Sequence, residues 1–442
     1  MKVSQPSLSA LVRFMPELLR PLGFVERLFE EGNDRYGGCL MIRAVRLSGP
    51  CDVEKLRAAA VNATRSLPLL ASTIVRHRKK PRLVRLENFQ PIVESVTRDS
   101  PEHWRQETEQ QLTRRLENGG PQWRMVVVHS AASSDWELLL VYNHAIADPV
   151  TATVHLERIL QEFQQPTKTE LTETTITQPL ELLLHKENRL RNSLLFIITD
   201  LLLKSYQKTM AFFKRPAGLE ANVNTRKTRL RFSSLSTDQT TTILQTAKQE
   251  GISFQGLLLA AMIRSSKKFL QNPSAPCLTL SNISLRHECG PGDYSREPGC
   301  FIFWFMNSFP QDDDGDLLSL AKNCSKIVRF SISFARPPAP VLGAFVGKSL
   351  QQLATGNHHG RLATLGVSNI GPVPLPEQIG DVTIREDYSI SGQNAVGPEV
   401  MLLVSTLAGR LHLTLCFVEP LLSPEQMTEF RDNLMTELNS FV

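Results

Sequence analysis

The chain has 442 residues, 41% hydrophobic and 21% charged, which fits a globular protein with enough apolar material for two cores. A net charge of +5 spread along the chain excludes a strongly cationic class. The short basic clusters at 76–82 (RHRKKPR) and 226–231 (RKTRLR) lack interleaved aromatics, so they read as solvated faces or turns and no nucleic-acid partner is expected. The seven cysteines form no CxxC pair, which argues against a zinc site or a disulfide scaffold and for free thiols in a reducing, cytoplasmic setting.

The N-terminal 21 residues lack both a continuous apolar core and a small-residue cleavage site, a poor match to a signal peptide. The spacing then predicts a short amphipathic helix over 21–31, a strand over 39–47 and a helix opening at Asp52, a good N-cap. Strands are predicted over 82–86 and 92–96, and a polar helix over 102–117. Two more strands, 123–129 and 136–142, flank a turn-like AASSD, and helical spacing returns over 151–163. A threonine-rich loop, 164–178, leads to a crossover.

The stretch 190–216 (LRNSLLFIITDLLLKSYQKTMAFFKRP) holds an apolar run that contains Asp200 and is too short to span a bilayer. A buried or groove-covering helix is the plain reading; an interfacial helix that rests on a membrane is the sharper one. The second half restarts with a strand at 228–233 and a capped helix over 236–251 with a glycine stop. An apolar helix over 254–269, strands over 278–285 and 301–305 and a helix over 317–334 follow. Strands over 365–368, 382–384, 400–407 and 411–417 precede a closing helix, 423–438, that opens with Ser423-Pro424. Both halves thus mix strands with helices.

The most informative island is Asn143-His144-Ala145-Ile146-Ala147-Asp148, set between the apolar strand LLLVY and the next helix. A histidine delivered to a sheet edge can act as general base, because its ordinary pKa lies near the working pH. Asp148 has two options. It can cap the following helix, since Pro149 suits the first helical position, or it can turn from His144 to a cation elsewhere and fix the loop. His-x-x-x-Asp alone is a pattern that recurs by chance.

In this setting the motif resembles that of the thioester-dependent acyltransferase superfamily, which includes alcohol acetyltransferases, polyketide-associated acyltransferases and the condensation domains of nonribosomal peptide synthetases. PLGFVERLFEE at 21–31 is similar to the family's opening, and DVEKLRAAAVNATRSLPLLAS at 52–72 to its first long helix, although the turn 67–70 lacks the usual arginine. LSNISLRHEC at 280–289, GVSNIGPVPLP at 366–376 and VSTLAGRLHLTLCF at 404–417 resemble later family segments. The resemblance implies an α/β (α+β) fold of two chloramphenicol-acetyltransferase-like lobes, a V-shaped pseudo-dimer with an interlobe tunnel. The lobes are expected over 1–178 and 226–442, with 179–225 as crossover and apolar helix. It further implies that His144 is the general base, that Asp148 orients the motif loop and that Arg286 is its partner. Asn143, Ser368 and Asn369 would support the site. Asn143 stands where many relatives carry a second histidine, and Pro149 stands where they carry glycine. Proline has no N–H, so an oxyanion contact from that amide is lost.

The expected activity is acyl transfer from acyl-CoA or a phosphopantetheinyl thioester on an acyl carrier protein to an alcohol, in lipid or secondary-metabolite biosynthesis. No bound cofactor and no metal are expected. An amine acceptor (amide formation) and a non-catalytic acyl or carrier-protein binder are the alternatives. The apolar 194–213 run suggests a lipophilic substrate, with peripheral membrane contact through 190–216. Other polar groups read plainly: His155 as a surface residue of the helix after the motif, His129 as a strand end, His358-His359 as a solvated loop, and the 312–316 acidic run as an exposed turn. No GxGxxG after a strand and no P-loop is present.

Overall fold

The computed structural model describes residues 17–77, 80–117, 119–167, 176–184, 221–267, 276–310, 316–335, 354–355 and 359–441. The first half begins with β1 (Leu18–Pro21), α1 (Phe24–Tyr36), β2 (Leu40–Ser48), α2 (Val53–Arg65), β3 (Ser72–His77), β4 (Lys80–Arg85) and β5 (Ile92–Thr97). It continues with α3 (His103–Gln111), β6 (Trp123–His129), β7 (Asp135–Asn143), α4 (Pro149–Gln164) and the one-turn α5 (Leu180–Leu183). The second half contains β8 (Lys227–Leu235), α6 (Thr237–Gln249), α7 (Phe254–Ser266), β9 (Cys277–Ser284), β10 (Ile302–Phe309) and α8 (Leu317–Ala335). It closes with β11 (Arg361–Pro372), β12 (Gln378–Ile379), β13 (Val382–Ser391), β14 (Gly397–Leu407), β15 (Arg410–Glu419) and α9 (Pro424–Asn439). The apolar 190–216 stretch, His358 and Asp312 to Asp314 lie outside the described residues.

Local chemistry accounts for the element starts. Asp52, Ser236 and Ser423 each accept a hydrogen bond from a backbone N–H of the first helical turn. The helix predicted over 102–117 stops at Gln111. There the buried Arg124 guanidinium donates to the carbonyls of Gln111 (2.8 Å) and Arg114 (2.9 Å), taking up acceptors that a longer helix would have used internally.

Two six-stranded mixed sheets form, ordered β12-β13-β2-β7-β6-β5 and β10-β9-β11-β14-β15-β8, beside a three-stranded sheet β1-β4-β3. Successive side chains of β7 point to opposite faces. Trp136, Leu138, Leu140 and Tyr142 enter a core with Leu56 and Ala60 of α2 and Leu156 and Ile159 of α4. Leu139 and Val141 enter another cluster, which contains Leu230 and Phe232 of β8 and Met401 and Leu403 of β14. The two large sheets therefore meet through this cluster, while α6 to α9 cover the other face of the second sheet. Burial on both faces is why β7 reads as a continuous apolar run.

One segment crosses the lobe boundary expected at residue 226. β13 leaves the second half and pairs antiparallel with β2 along Thr383–Ser48 to Ser391–Met41, joining the first sheet. The exchange is held by charge as well as by the ladder: Arg43 of β2 lies 2.8 Å from Asp387 of β13, both almost completely buried. The Arg43 guanidinium also donates to Thr153 and to the Pro149 carbonyl, beneath the first turn of α4.

The cluster 226–231 is not a solvated face. Arg226 is buried and donates to the carbonyls of Ala221, Ala354 and His359. Arg229 pairs with Glu109 and Glu419. Arg226, Arg229 and Arg231 find acceptors that only the tertiary fold supplies. All seven cysteines are free thiols.

Candidate active site

His144 follows directly on the end of β7. Its backbone N–H donates to the Cys39 carbonyl at 3.1 Å, which ties the turn to the start of β2. The side chain of Asn143, fully buried, donates to Glu30 Oε2 (2.7 Å) and Gln122 Oε1 (3.0 Å) and accepts from the Ala145 N–H. Asn143 thus staples the turn and points away from the imidazole.

The imidazole has one internal hydrogen bond, Nδ1 to the Ala147 carbonyl at 2.7 Å. A carbonyl can only accept, so Nδ1 carries the proton and Nε2 holds the free lone pair. Among the described residues Nε2 has no hydrogen-bond partner, and His144 as a whole is 7% exposed. One face of the ring is covered by Phe29 of α1, with centroids 4.4 Å apart and planes 15° from parallel. Burial pushes the His144 pKa below its ordinary value, against the opposing pull of the Ala147 carbonyl and the Asp148 charge.

Asp148 realises both of its options. Oδ1 caps α4 by accepting from Thr151 N–H (2.9 Å) and Thr151 Oγ1 (3.0 Å). Both carboxylate oxygens accept from Nη2 of Arg286 at 2.7 Å, and Oδ2 accepts from Phe301 N–H at 3.3 Å. Arg286 is fixed in turn: Nη1 donates to the carbonyls of Tyr294 (2.7 Å) and Glu297 (2.5 Å), and the guanidinium lies 4.1 Å over the Phe301 ring. Thr151 Oγ1 also accepts from Gly299 N–H at 2.9 Å. The loop that carries His144 is thereby clamped to residues 286–301 of the other half. Asp148 makes no contact with the imidazole that would let it take a proton from it.

Residues 176–184 stitch the same junction. Arg20, paired with Glu26 at the start of α1, donates to the Thr177 carbonyl at 2.6 Å, and Glu181 accepts from Phe24 N–H. Gly23 permits the approach: a Cβ there would lie 2.7 Å from the Pro179 Cβ. On the far side, Thr177 donates to Glu297 and the Leu183 carbonyl accepts from Gly290 N–H. An apolar cluster of Val25, Leu180, Leu285, Cys300 and Phe301 fills the space between.

Comparison with known proteins places this arrangement. Residues 221–416 match the family model described as phthiocerol/phthiodiolone dimycocerosyl transferase C-terminus. No curated protein matches the chain in sequence. Among solved structures, the chain is similar to polyketide synthase associated protein 5 from Mycobacterium tuberculosis, at 15% identity, TM-score 0.67, over 97% of this chain and 100% of that one. It is similar to TRI3 trichothecene 15-O-acetyltransferase from Fusarium sporotrichioides, at 12% identity, TM-score 0.76, over 96% and 95%. It is also similar to the condensation domain of the monacolin K polyketide synthase MokA, at 14% identity, TM-score 0.67, over 96% and 98%. The chain has the acyltransferase and condensation-domain fold.

Within this acyltransferase and condensation-domain fold, Ser368 and Asn369 lie on β11 of the second sheet. Asn369 Oδ1 accepts from Gly371 N–H at 3.0 Å, and no side-chain bond of either residue reaches the motif loop among the described residues. They lie instead where the second sheet forks. β9 and β11 pair only from Thr279–Leu365 to Ser281–Val367. Beyond that, β9 stays with β10 to Ser284 and β11 stays with β14 to Pro372. Asn282 to Ser284 and Ser368 to Gly371 are thus left half-exposed or exposed along the two arms, two residues short of Arg286. Gln255 of α7 sits at the crotch, its Nε2 3.2 Å from Ser281 Oγ.

His155, expected at the surface, is instead fully buried. Tyr142 Oη meets its Nδ1 at 2.9 Å, Thr64 Oγ1 meets its Nε2 at 3.2 Å, and its ring stands edge-on to Trp123. It lies on the face of α4 that packs on α2 and the sheet, so both ring nitrogens could be satisfied in the core. Burial, helped by Arg158, pushes its pKa down to about 3. A group kept neutral in this way stabilises the fold above its unfolded pKa of about 6.5, and that stability is lost as pH falls toward the folded value. Unfolding free energy is expected to drop by about 1.4 kcal/mol per pH unit from this residue below pH ~6. Urea titrations of wild type and His155→Gln between neutrality and mild acid check this: the variant's slope should be flatter, and parallel slopes would refute the assignment.

His129 ends β6 with Nε2 2.9 Å from Ser95 Oγ. No group of three or more potential metal ligands exists among the described residues, and none of their helices is long and apolar enough to cross a membrane. Sequence reading missed Phe29, Glu30, Gln122 and Thr151. The one available signal was the FxE-rich helix face of 21–31, which did not say what it packs against.

Proposed function

We propose that this protein transfers an acyl group from a coenzyme A or carrier-protein thioester to an alcohol, with His144 as general base. One observation carries the reading: the Ala147 carbonyl fixes the proton on Nδ1, leaving the Nε2 lone pair without a partner among the described residues. The acceptor hydroxyl gives its proton to Nε2 as its oxygen attacks the thioester carbonyl. The tetrahedral adduct then expels the thiolate, which takes the proton back from Nε2 and leaves as the free thiol. No acyl-enzyme and no resident cofactor are required. Asp148 and Arg286 are positioning residues, since their hydrogen bonds go to each other, to the α4 start and to residues 294–301.

Two features favour other outcomes of the same test. The condensation-domain likeness suits an amine acceptor, which the same base would serve. Pro149 at the start of α4 has no N–H to offer an oxyanion, which suits a non-catalytic binder of acyl groups or carrier protein. Incubation with acetyl-, octanoyl- and palmitoyl-CoA, and with acyl carrier protein thioesters, against a panel of alcohols and amines decides among them by thiol release and product mass. Esters support the proposal, amides the condensation reading, and carrier binding without turnover the binder. The apolar 190–216 segment extends the proposal to a lipophilic substrate and a membrane surface. Liposomes should retain the protein, and retain less of it when Leu195, Ile198 and Leu202 are made charged.

The pH profile follows from the direction of the His144 shift. Neutral imidazole is the active form, and burial keeps it neutral below the ordinary value. The acid limb of kcat/KM is therefore expected to have its midpoint below about pH 6.5. A midpoint above that value would contradict a desolvated base.

A further inference from the structure

We propose that α1 is the positioning element of the candidate base, and that Phe29 is its positioning residue, holding the plane of the His144 ring so that Nδ1–H keeps its bond to the Ala147 carbonyl and Nε2 stays free. The inference rests on the reading of His144 as the base. Two successive residues of α1 engage two successive residues of the motif: Phe29 stacks on the His144 ring and Glu30 accepts from the Asn143 amide. The ring can still turn about its Cβ–Cγ bond, and such a turn takes Nδ1 away from the Ala147 carbonyl. A parallel ring 4.4 Å away opposes this turning, because it would break the stack. The Ala147 bond sets the tautomer and Phe29 sets the plane.

The helix is itself held where this requires. Glu26 accepts from the Arg20 guanidinium and from Gly23 N–H, and Glu181 accepts from Phe24 N–H. The left-handed Gly37 ends α1 two residues before Cys39, whose carbonyl accepts from His144 N–H. Both ends of α1 are therefore tied to the site. The charged and titratable groups around the ring are already engaged. Asp148 is bound by Arg286, Glu30 by Asn143, and burial pushes the Cys39 thiol up to about 12. Phe29 is only partly buried and also packs against the apolar clusters on either side, so loss of bulk must be separated from loss of the ring.

Phe29→Leu and Phe29→Met keep apolar bulk and remove the aromatic face, whereas Phe29→Tyr keeps it. The full chain labelled with ¹⁵N-histidine reports the ring directly, with His144 signals assigned by their loss in His144→Gln. Wild type and Phe29→Tyr are expected to show protonated Nδ1 and unprotonated Nε2 at neutral pH. Leu and Met should move both signals toward the averaged tautomer position. With octanoyl-CoA and 1-octanol as probes, they should lower kcat roughly 3- to 10-fold at unchanged KM, the equivalent of one stacked pair. Wild-type ring signals in the Leu and Met variants would overturn the proposal, because Phe29 would then be packing alone. If wild type turns over no thioester, the acyl-transfer reading fails, and the ring signals still decide the role of Phe29. Should Leu fail to fold, Met, closer to the native volume, decides.

Discussion

Replacement of His144 by glutamine is expected to lower kcat for thioester-dependent acyl transfer roughly 10²- to 10⁴-fold, the usual contribution of a positioned general base. The fold should survive. The ring makes one side-chain hydrogen bond, to Ala147, and one stack, on Phe29. Glutamine retains a donor for the carbonyl and loses only the basic nitrogen. KM is expected to stay near the wild-type value, since the base is not asked to bind the ground state. Steady-state kinetics with the thioester that wild type uses best, alongside a thermal melt, checks both halves. A folded variant with wild-type kcat would remove His144 from the chemistry.

Arg286→Ala carries the largest expected effect on stability. The guanidinium and the Asp148 carboxylate are both nearly sealed from solvent, with side-chain exposures of 3% and 2%. Removing one partner leaves the other charge buried without compensation, at a cost of about 3–5 kcal/mol. That is a large share of the ~5–15 kcal/mol that holds a typical domain together. It also strands the Tyr294 and Glu297 carbonyls, which Arg286 Nη1 now serves. Asp148→Asn should cost less, since an amide oxygen can still cap Thr151 and accept one bond from Arg286. The double variant Asp148→Asn/Arg286→Ala is expected to be less destabilised than the sum of the single changes, because no unpaired charge remains. Urea unfolding of the four proteins measures this directly. A cost below 1 kcal/mol for Arg286→Ala would mean that the clamp does not hold the two halves together. Arg286→Lys serves as a control: it keeps the charge but cannot present the planar fork that reaches both the carboxylate and the backbone carbonyls.

The motif loop was largely legible from residue order. An apolar strand followed by Asn143 to Pro149 announces a side chain delivered at a strand end and a capped helix start, both governed by neighbours within a few residues. The same holds for Asp52, Ser236 and Ser423, whose caps act over three residues. Arg286 was visible only through the likeness of 280–289 to a known pattern, because its partner lies 138 residues away. Phe29 and His155 were not legible in their roles. A helix face tells which residues are turned inward, not which group they meet, and His155 could be buried only because Tyr142 and Thr64 converge on its two nitrogens.

Sequence alone determined where the capped helices α2, α6 and α9 begin, and which residue stands at the end of β7. Those outcomes depend on caps, periodicity and turn chemistry that act over a few positions. The tertiary structure alone decided that β13 joins the first sheet, that the second sheet forks beside Ser368, and that Arg43 meets Asp387. A strand's alternating pattern specifies its two faces but not its neighbours, and a buried charge specifies the need for a partner but not its address.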